Sequence, residues 1–359
     1  MALGFGRLPG EMRDYEVYWT AAARALASEP LYRSADGHYQ FKYLPAFAVL
    51  ASPVAMLPLP VAKALWFASS AALIAAVIGL SLAVLPARRR PALFIAMVSV
   101  ITMGKFYGHE LVLGQVNLLF ATFVLLGLLM VRTERNSAAA ALFVVAMVVK
   151  PYAVLLLPWL LLRRGRRAVV PVFVSVLIVL MLPVVLYGMQ GTLDLHSSWW
   201  TTVTTSTAPN LTNADNVSFA GFFSKWLGSG AGANTAAAIV SVGLLTLIGL
   251  VMWRAEGIED REMLEGALLL TAIPLLSPQG WDYVFLVATP AVAFVANYDR
   301  SLPSVLRVLC WTALLTIGLS LFDLMGRAHY AAFMAWSIIT LCFVVVVAGL
   351  AVLRLRRVA

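Results

Sequence analysis

The chain has 359 residues, of which 62% are apolar and only 12% charged, with a mean hydropathy of +0.89 and a formal net charge of +9. A soluble domain carries about a quarter charged residues, so most of this surface must face lipid and a soluble globular class is excluded. The positive charge is no nucleic-acid footprint either, because the basic residues sit in short clusters between apolar runs.

The first ten residues hold no apolar core of signal-peptide length. Asp14-Tyr15-Glu16 then opens DYEVYWTAAARALASEPLY, where Val17, Ala21, Ala25 and Leu26 fall roughly on one face and predict an interfacial helix. Asp14 stands at its start, where an acidic cap is favoured. A carboxylate held at a membrane–water boundary also suits a general base acting on a sugar or lipid hydroxyl. His38 and Lys42 read as phosphate contacts or as solvated loop residues. Tyr43-Leu44-Pro45 with Pro53, Pro58 and Pro60 predicts a short helix and a turn rather than a straight span.

Apolar stretches follow at about 62–85, 92–104, 116–131, 137–149, 151–162, 169–187, 234–253, 266–276, 283–297, 304–323 and 331–353. A span takes about 20 residues, so the shorter stretches predict short spans or helices broken around a cavity. The expectation is an all-α, polytopic transmembrane helical bundle of about eleven membrane segments. Its parts are an external segment over 1–61 and a bundle over 62–359 with a long external loop at 188–233. Cys310 and Cys342 lie inside apolar stretches and read as packing.

Orientation comes from arginine. Alternate connections hold Arg88-Arg89-Arg90, Arg132 with Arg135, Arg163-Arg164 with Arg166-Arg167, Arg254 with Arg261, Arg300, and Arg354 with Arg356-Arg357. The opposite set holds only Lys105, Lys150, Lys225 and Arg327. The positive-inside rule makes the first set and the C-terminus cytoplasmic. Residues 1–61, the turn before Val116, the loop 188–233 and Ser277–Tyr283 are then external. Nothing apolar precedes residue 44 to carry the N-terminal segment across, which predicts a further helix upstream.

The external set carries the polar motifs. Gln115 and Asn117 in Gly114-Gln115-Val116-Asn117 can bind a sugar or phosphate, or join helices by hydrogen bonds. Gly104-Lys105-Phe106-Tyr107-Gly108 has the spacing of close helix packing. Lys150-Pro151 interrupts an apolar run of about 25 residues, so the lysine faces a cavity or binds an anion. No HExxH, CxxC, Walker loop or dinucleotide glycine fingerprint occurs, so zinc, nucleotide and flavin chemistry lack support.

Taken in order, these motifs resemble bacterial glycosyltransferase family 87, membrane mannosyltransferases of the GT-C class. The pieces are Asp14-Tyr-Glu-Val-Tyr18, Pro30-Leu31-Tyr32, Tyr43-Leu-Pro45, Gly114–Asn117, Lys150-Pro151, Asn216-Val-Ser218 and Ser277-Pro-Gln-Gly-Trp281-Asp282. The resemblance implies a polyprenyl-phosphate-linked sugar donor, a lipid or glycan acceptor, transfer at the outer face of a bacterial inner membrane, and a catalytic acidic residue at Asp14. Family members often carry histidine after the last motif; here Asp282 and Tyr283 stand there, so Asp282 takes the base role or Asp14 acts alone. Tyr43, Lys105, His109, Gln115, Asn117, Lys150, Asn216, Ser218, Gln279 and Trp281 are the candidate donor and sugar contacts. The sequence names no cofactor, and whether a divalent metal takes part stays open; if one is used it would fall to Asp14 and Glu16. The rival reading is a transporter or lipid flippase, which predicts matching halves with charge at the midplane.

Overall fold

A computed structural model describes residues 11–206, 210–254 and 260–356. Arg357 and residues 207–209 of the predicted loop 188–233 lie outside the described residues. The chain divides into two compact units, residues 1–76 with 108–206, and residues 77–107 with 207–359. Among the described residues every regular element is helical, and the sole β-type pairing is an isolated bridge between Asn216 and Trp281.

The first unit opens with α1, Arg13–Leu26. Its buried face is Tyr15, Tyr18, Ala21, Ala22 and Ala25, while Leu26 is 44% exposed. Of the predicted face of Val17, Ala21, Ala25 and Leu26, the two alanines are buried as expected while Val17 is half-buried and Leu26 exposed, because two tyrosine rings bring more area to the core than one valine. A 3-10 turn at Ser34–Tyr39 leads to α2, Pro45–Ala51, a second 3-10 turn at Ser52–Met56 and the first part of α3, Leu59–Ala83. The prolines thus make the expected short helix and turn. The end of α4, Ala92–Leu113, is followed by α5, Asn117–Arg132, and α6, Asn136–Val149. Gly127 on α5 lets the Phe143 ring of α6 lie where a Cβ would be. Lys150 ends α6, and a 3-10 turn at Pro151–Leu155 precedes α7, Leu156–Arg164. Helices α8, Arg166–Met181, and α9, Val184–Thr205, meet at 90°.

The second unit holds the end of α3, most of α4, α10, Phe219–Leu227, and α11, Ala231–Trp253. Then come α12, Arg261–Leu276, a 3-10 stretch at Asp282–Ala288, and α13, Thr289–Tyr298. Last are α14, Ser304–Leu319, α15, Phe322–Ala335, and α16, Ile338–Leu355. Every residue of α13 is buried, as befits a helix apolar on all sides. Gly318 and Gly349 are two of the close approaches here, against the Ile101 carbonyl and Cys310 Sγ, each 2.8 Å from where a Cβ would sit. The Gly104/Gly108 spacing does no such work, since a Cβ at either would meet nothing within 4 Å.

Among the described residues four helices, α3, α4, α11 and α16, are long and apolar enough to cross a membrane, and the number reaches six if α8 with α9 and α14 with α15 each count as one broken span. The expected eleven is not reached on length and composition. Each predicted stretch does contain helix, but α7 has 9 residues and α13 has 10, rising only about 14 and 15 Å. The predicted loop 188–233 is also largely helix, holding most of α9 and all of α10.

Within each unit the arginine-rich connections bond to one another. In the first, Arg164 donates to the Val131 carbonyl at 2.5 Å. In the second, Arg90 pairs with Asp299 at 2.8 Å, Arg356 donates to the Ser301 carbonyl, and Arg354 donates to the Arg254 carbonyl.

Candidate functional site

The first unit brings Asp14, Tyr18, Tyr43, Gln115 and Lys150 into one hydrogen-bonded cluster. Gln115 Nε2 donates to Asp14 Oδ2 at 2.7 Å. Its other end, Oε1, accepts from the Tyr18 hydroxyl at 3.0 Å and from Lys150 Nζ at 3.3 Å. Lys150 also donates to the Tyr43 hydroxyl at 2.9 Å and sits 4.8 Å from the centroid of that ring. The Tyr18 and Tyr43 hydroxyls are 2.7 Å apart. The Tyr43 hydroxyl also donates to Gln115 Oε1 at 3.5 Å, so that oxygen gathers both tyrosines and the lysine. The amide orientation is fixed by the same donors and acceptors.

Local sequence makes this corner. Helix α1 begins at Met12 without a side-chain cap, so Asp14 keeps its carboxylate for Gln115 and the capping reading falls. Gly114 has φ +70°, and a Cβ there would lie 2.8 Å from Tyr15 Cβ. The glycine thus permits both the turn between α4 and α5 and the close approach of α1. Asn117 is fully buried, its Nδ2 donating to Glu110 Oε2 at 2.8 Å, while the Leu118 N–H donates to Glu110 Oε1 at 3.0 Å. Glu110 therefore caps α5 from the preceding helix, and Asn117 serves that joint.

Asp14 is half-buried, and burial raises its pKa above the ordinary carboxylate range. The Gln115 hydrogen bond and the positive charges of Lys150, His38 and Lys42 oppose that rise. Burial in turn lowers the Lys42 pKa, against the opposing charge of Asp14. Three basic side chains therefore act on one carboxylate. Glu16 points elsewhere, to Lys63 Nζ at 2.5 Å. Asp14 and Glu16 thus have different partners, and among the described residues no group of three or more His, Cys, Asp or Glu converges as a metal site. Beside the cluster, Tyr18, Phe47, Trp66, Leu119, Phe123 and Val148 are among the lining of an apolar cavity of about 240 Å³.

The other candidates belong to the second unit. Lys105 Nζ lies 2.7 Å from Asp282 Oδ2, with both side chains at most 4% exposed, and 4.9 Å from the Tyr330 ring centroid. The Val217 N–H donates to the Gly280 carbonyl at 2.8 Å and the Asp282 N–H to the Asp215 carbonyl at 3.0 Å. Asn216 Nδ2 donates to the Pro278 carbonyl at 2.9 Å, and its Oδ1 accepts from Ser218 Oγ at 2.8 Å. Ser218 caps α10 by accepting the Gly221 N–H. Asn216 and Ser218 thus clasp the two motifs together. Lys225 donates to the Ala214 and Met334 carbonyls, and burial pushes its pKa down to about 8.

Of the residues singled out from sequence, Asp14, Tyr43, Gln115 and Lys150 meet directly. Lys105 meets Asp282, and Asn216 meets Ser218 and the Trp281 motif. His109 on α4, Gln279 and Trp281 are half-buried. Tyr18 was missed, although it stands one helical turn beyond Asp14 in the same quoted motif.

A family model described as glycosyltransferase family 87 matches residues 41–278, more than half of the chain. Tyr43, Gln115, Lys150 and Asn216 fall inside that range and Asp14 precedes it. Neither curated proteins nor solved structures gave a match.

Proposed function

The chain belongs to glycosyltransferase family 87, and from that premise we propose that it moves a hexose, mannose being the first to test, from a polyprenyl-phosphate carrier to a lipid or glycan acceptor on the non-cytoplasmic face of a bacterial inner membrane. Membership decides for a glycosyltransferase over a transporter. The single observation that carries the finer reading is the Asp14–Gln115 contact at 2.7 Å, wired through Tyr18 and Tyr43 to Lys150. It supplies a partly buried carboxylate and a cation in one hydrogen-bonded corner.

In this reading Asp14 takes the proton of the acceptor hydroxyl as its oxygen attacks the anomeric carbon. The bond from that carbon to the phosphate oxygen breaks, polyprenyl phosphate leaves, and the anomeric centre inverts. Phosphate is already a good leaving group, so no general acid is needed. Lys150, with Lys42 and His38, receives the growing phosphate charge. The neighbouring apolar cavity takes the first part of the isoprenoid tail. Asp282, already held by a buried ammonium, is the poorer base, and its pair with Lys105 has a structural part. No step of this scheme calls on a divalent ion.

The test is transfer from radiolabelled polyprenyl-phosphate-mannose to membrane lipids by purified protein. Asp14→Asn should lower turnover about 10²–10⁴-fold while leaving folding and donor binding intact. Near-wild-type turnover would remove Asp14 from the chemistry. A wild-type protein inert toward every polyprenyl-phosphate hexose would end the donor assignment.

A further inference from the structure

The second part of α9 has three sides. Gly188, with φ +66°, separates two helical pieces. From Met189 onward, at about 100° per residue, Met189, Leu193 and Trp200 fall within a sector of about 40°. They are 56%, 53% and 63% exposed. Gln190, Asp194, Thr201 and Thr205, all exposed, occupy a second side. Thr192, Leu195 and Trp199 form the third, which docks on the protein: Thr192 and Leu195 are buried and Trp199 Nε1 donates to the Lys42 carbonyl at 3.1 Å.

The preceding helix says what covers the apolar stripe. Helix α8 starts beside Arg163, Arg164, Arg166 and Arg167 and exposes Val170, Phe173 and Ile178 at 60% or more. It needs a hydrocarbon surround. Its 16 residues rise about 24 Å, most of a hydrocarbon core of about 30 Å. The chain then turns by 90° into α9. A helix at a right angle to a crossing one runs along the membrane plane, at the end of α8 away from the arginines. His196 Nε2 lies 3.0 Å from the Leu180 carbonyl and braces the bend.

We infer that α9 is not the second half of a broken span but an interfacial helix, with Met189, Leu193 and Trp200 inserted at the boundary between lipid headgroups and acyl chains. A tryptophan on the stripe, a neutral polar side beside it and a docked third side are the features such a helix requires. The helix is clamped to the segment leading from α1 to Tyr43. Tyr187 donates to the Glu29 carbonyl at 2.9 Å, Ser28 donates to the Leu186 carbonyl at 2.9 Å, and Trp199 holds Lys42. It thereby sets the depth of that segment below the headgroups. The inference does not rest on the proposed reaction.

The experiment places nitroxide labels on single cysteines in the full chain, reconstituted in phosphatidylcholine–phosphatidylglycerol nanodiscs. Cys310 and Cys342 are buried and stay in place. Met189→Cys, Leu193→Cys and Trp200→Cys should collide with oxygen rather than with an aqueous nickel chelate, at a common depth of about 5–10 Å. Gln190→Cys, Asp194→Cys and Thr201→Cys should show the reverse. All six positions open to nickel would put the helix in water and overturn the inference. Depth increasing steadily from 189 to 201 would make α9 a span and overturn it equally. Met189 and Leu193 against Gln190 and Asp194 already decide the matter if the tryptophan variant does not fold.

Discussion

At the scale of single residues the behaviour of Asp14 follows from its surroundings. A general base works deprotonated, and burial raises the pKa of this one. Activity should therefore fall on acidification at a higher pH than an exposed aspartate, near 3.9, would give. Gln115 stabilises the ionised form by donating to it, so removing that donor must raise the pKa further. Gln115→Leu should shift the acid limb of the kcat/KM profile to higher pH, leaving the plateau reduced by less than Asp14→Asn does. An unmoved limb would mean that Asp14 does not govern it. That Asp14, Tyr43, Gln115 and Lys150 belong together was legible because their motifs occur in the order of a known family, and the fold joins them in one hydrogen-bonded cluster. Asn117 was read with Gln115 as a ligand contact, since an amide at a helix end hydrogen-bonds a sugar or a carboxylate equally well. Only the fold puts Glu110 in its reach.

At the scale of elements, Gly114 joins two of them to a third. Alanine there must hold φ +70° and push against Tyr15 Cβ at 2.8 Å. The left-handed conformation costs about 1–2 kcal/mol and overpacking about 1–3 kcal/mol. Gly114→Ala should lower the thermal midpoint in detergent and lose transfer, because Gln115 can no longer reach Asp14. An unchanged midpoint would show that α1 yields without cost. The motif was visible in the sequence, yet two of its four residues build a turn and a cap rather than touch a ligand. Helix α9 was read as loop for the opposite reason: its threonines, glycines and tryptophans carry weak helix propensity, which docking through Leu195 and Trp199 overrides. That α1 is a helix was legible in the spacing of Val17, Ala21 and Ala25, but the burial of Tyr15 and Tyr18 was not, because tyrosines look amphipathic in a one-dimensional pattern.

At the scale of the whole molecule, alternation of arginine-rich and arginine-poor connections was the strongest signal in the sequence. Inside each unit the arginine-rich ends bond among themselves. A maleimide added to intact cells should label Asn213→Cys and spare Arg135→Cys; the opposite pattern would invert the proposed sidedness. Arg354, counted among those topological charges, is fully buried with Glu265 at 2.8 Å. Arg354→Met alone leaves a buried carboxylate and should cost about 3–5 kcal/mol, whereas Arg354→Met with Glu265→Leu should recover most of that loss. Additive losses in the double variant would show that packing, not charge, holds α12 to α16. The number of crossings was the least legible feature, since short apolar runs do not declare whether they traverse, bend or lie flat. The join of Asn216 to the segment Pro278–Trp281 carries its own consequence, for α10, α11 and α12 lie wholly between its two ends. Biosynthesis must deliver all three helices before that knot of hydrogen bonds can tie. A ribosome stalled after α11 leaves the rim of the second unit open, with the Asn216 amide still in water.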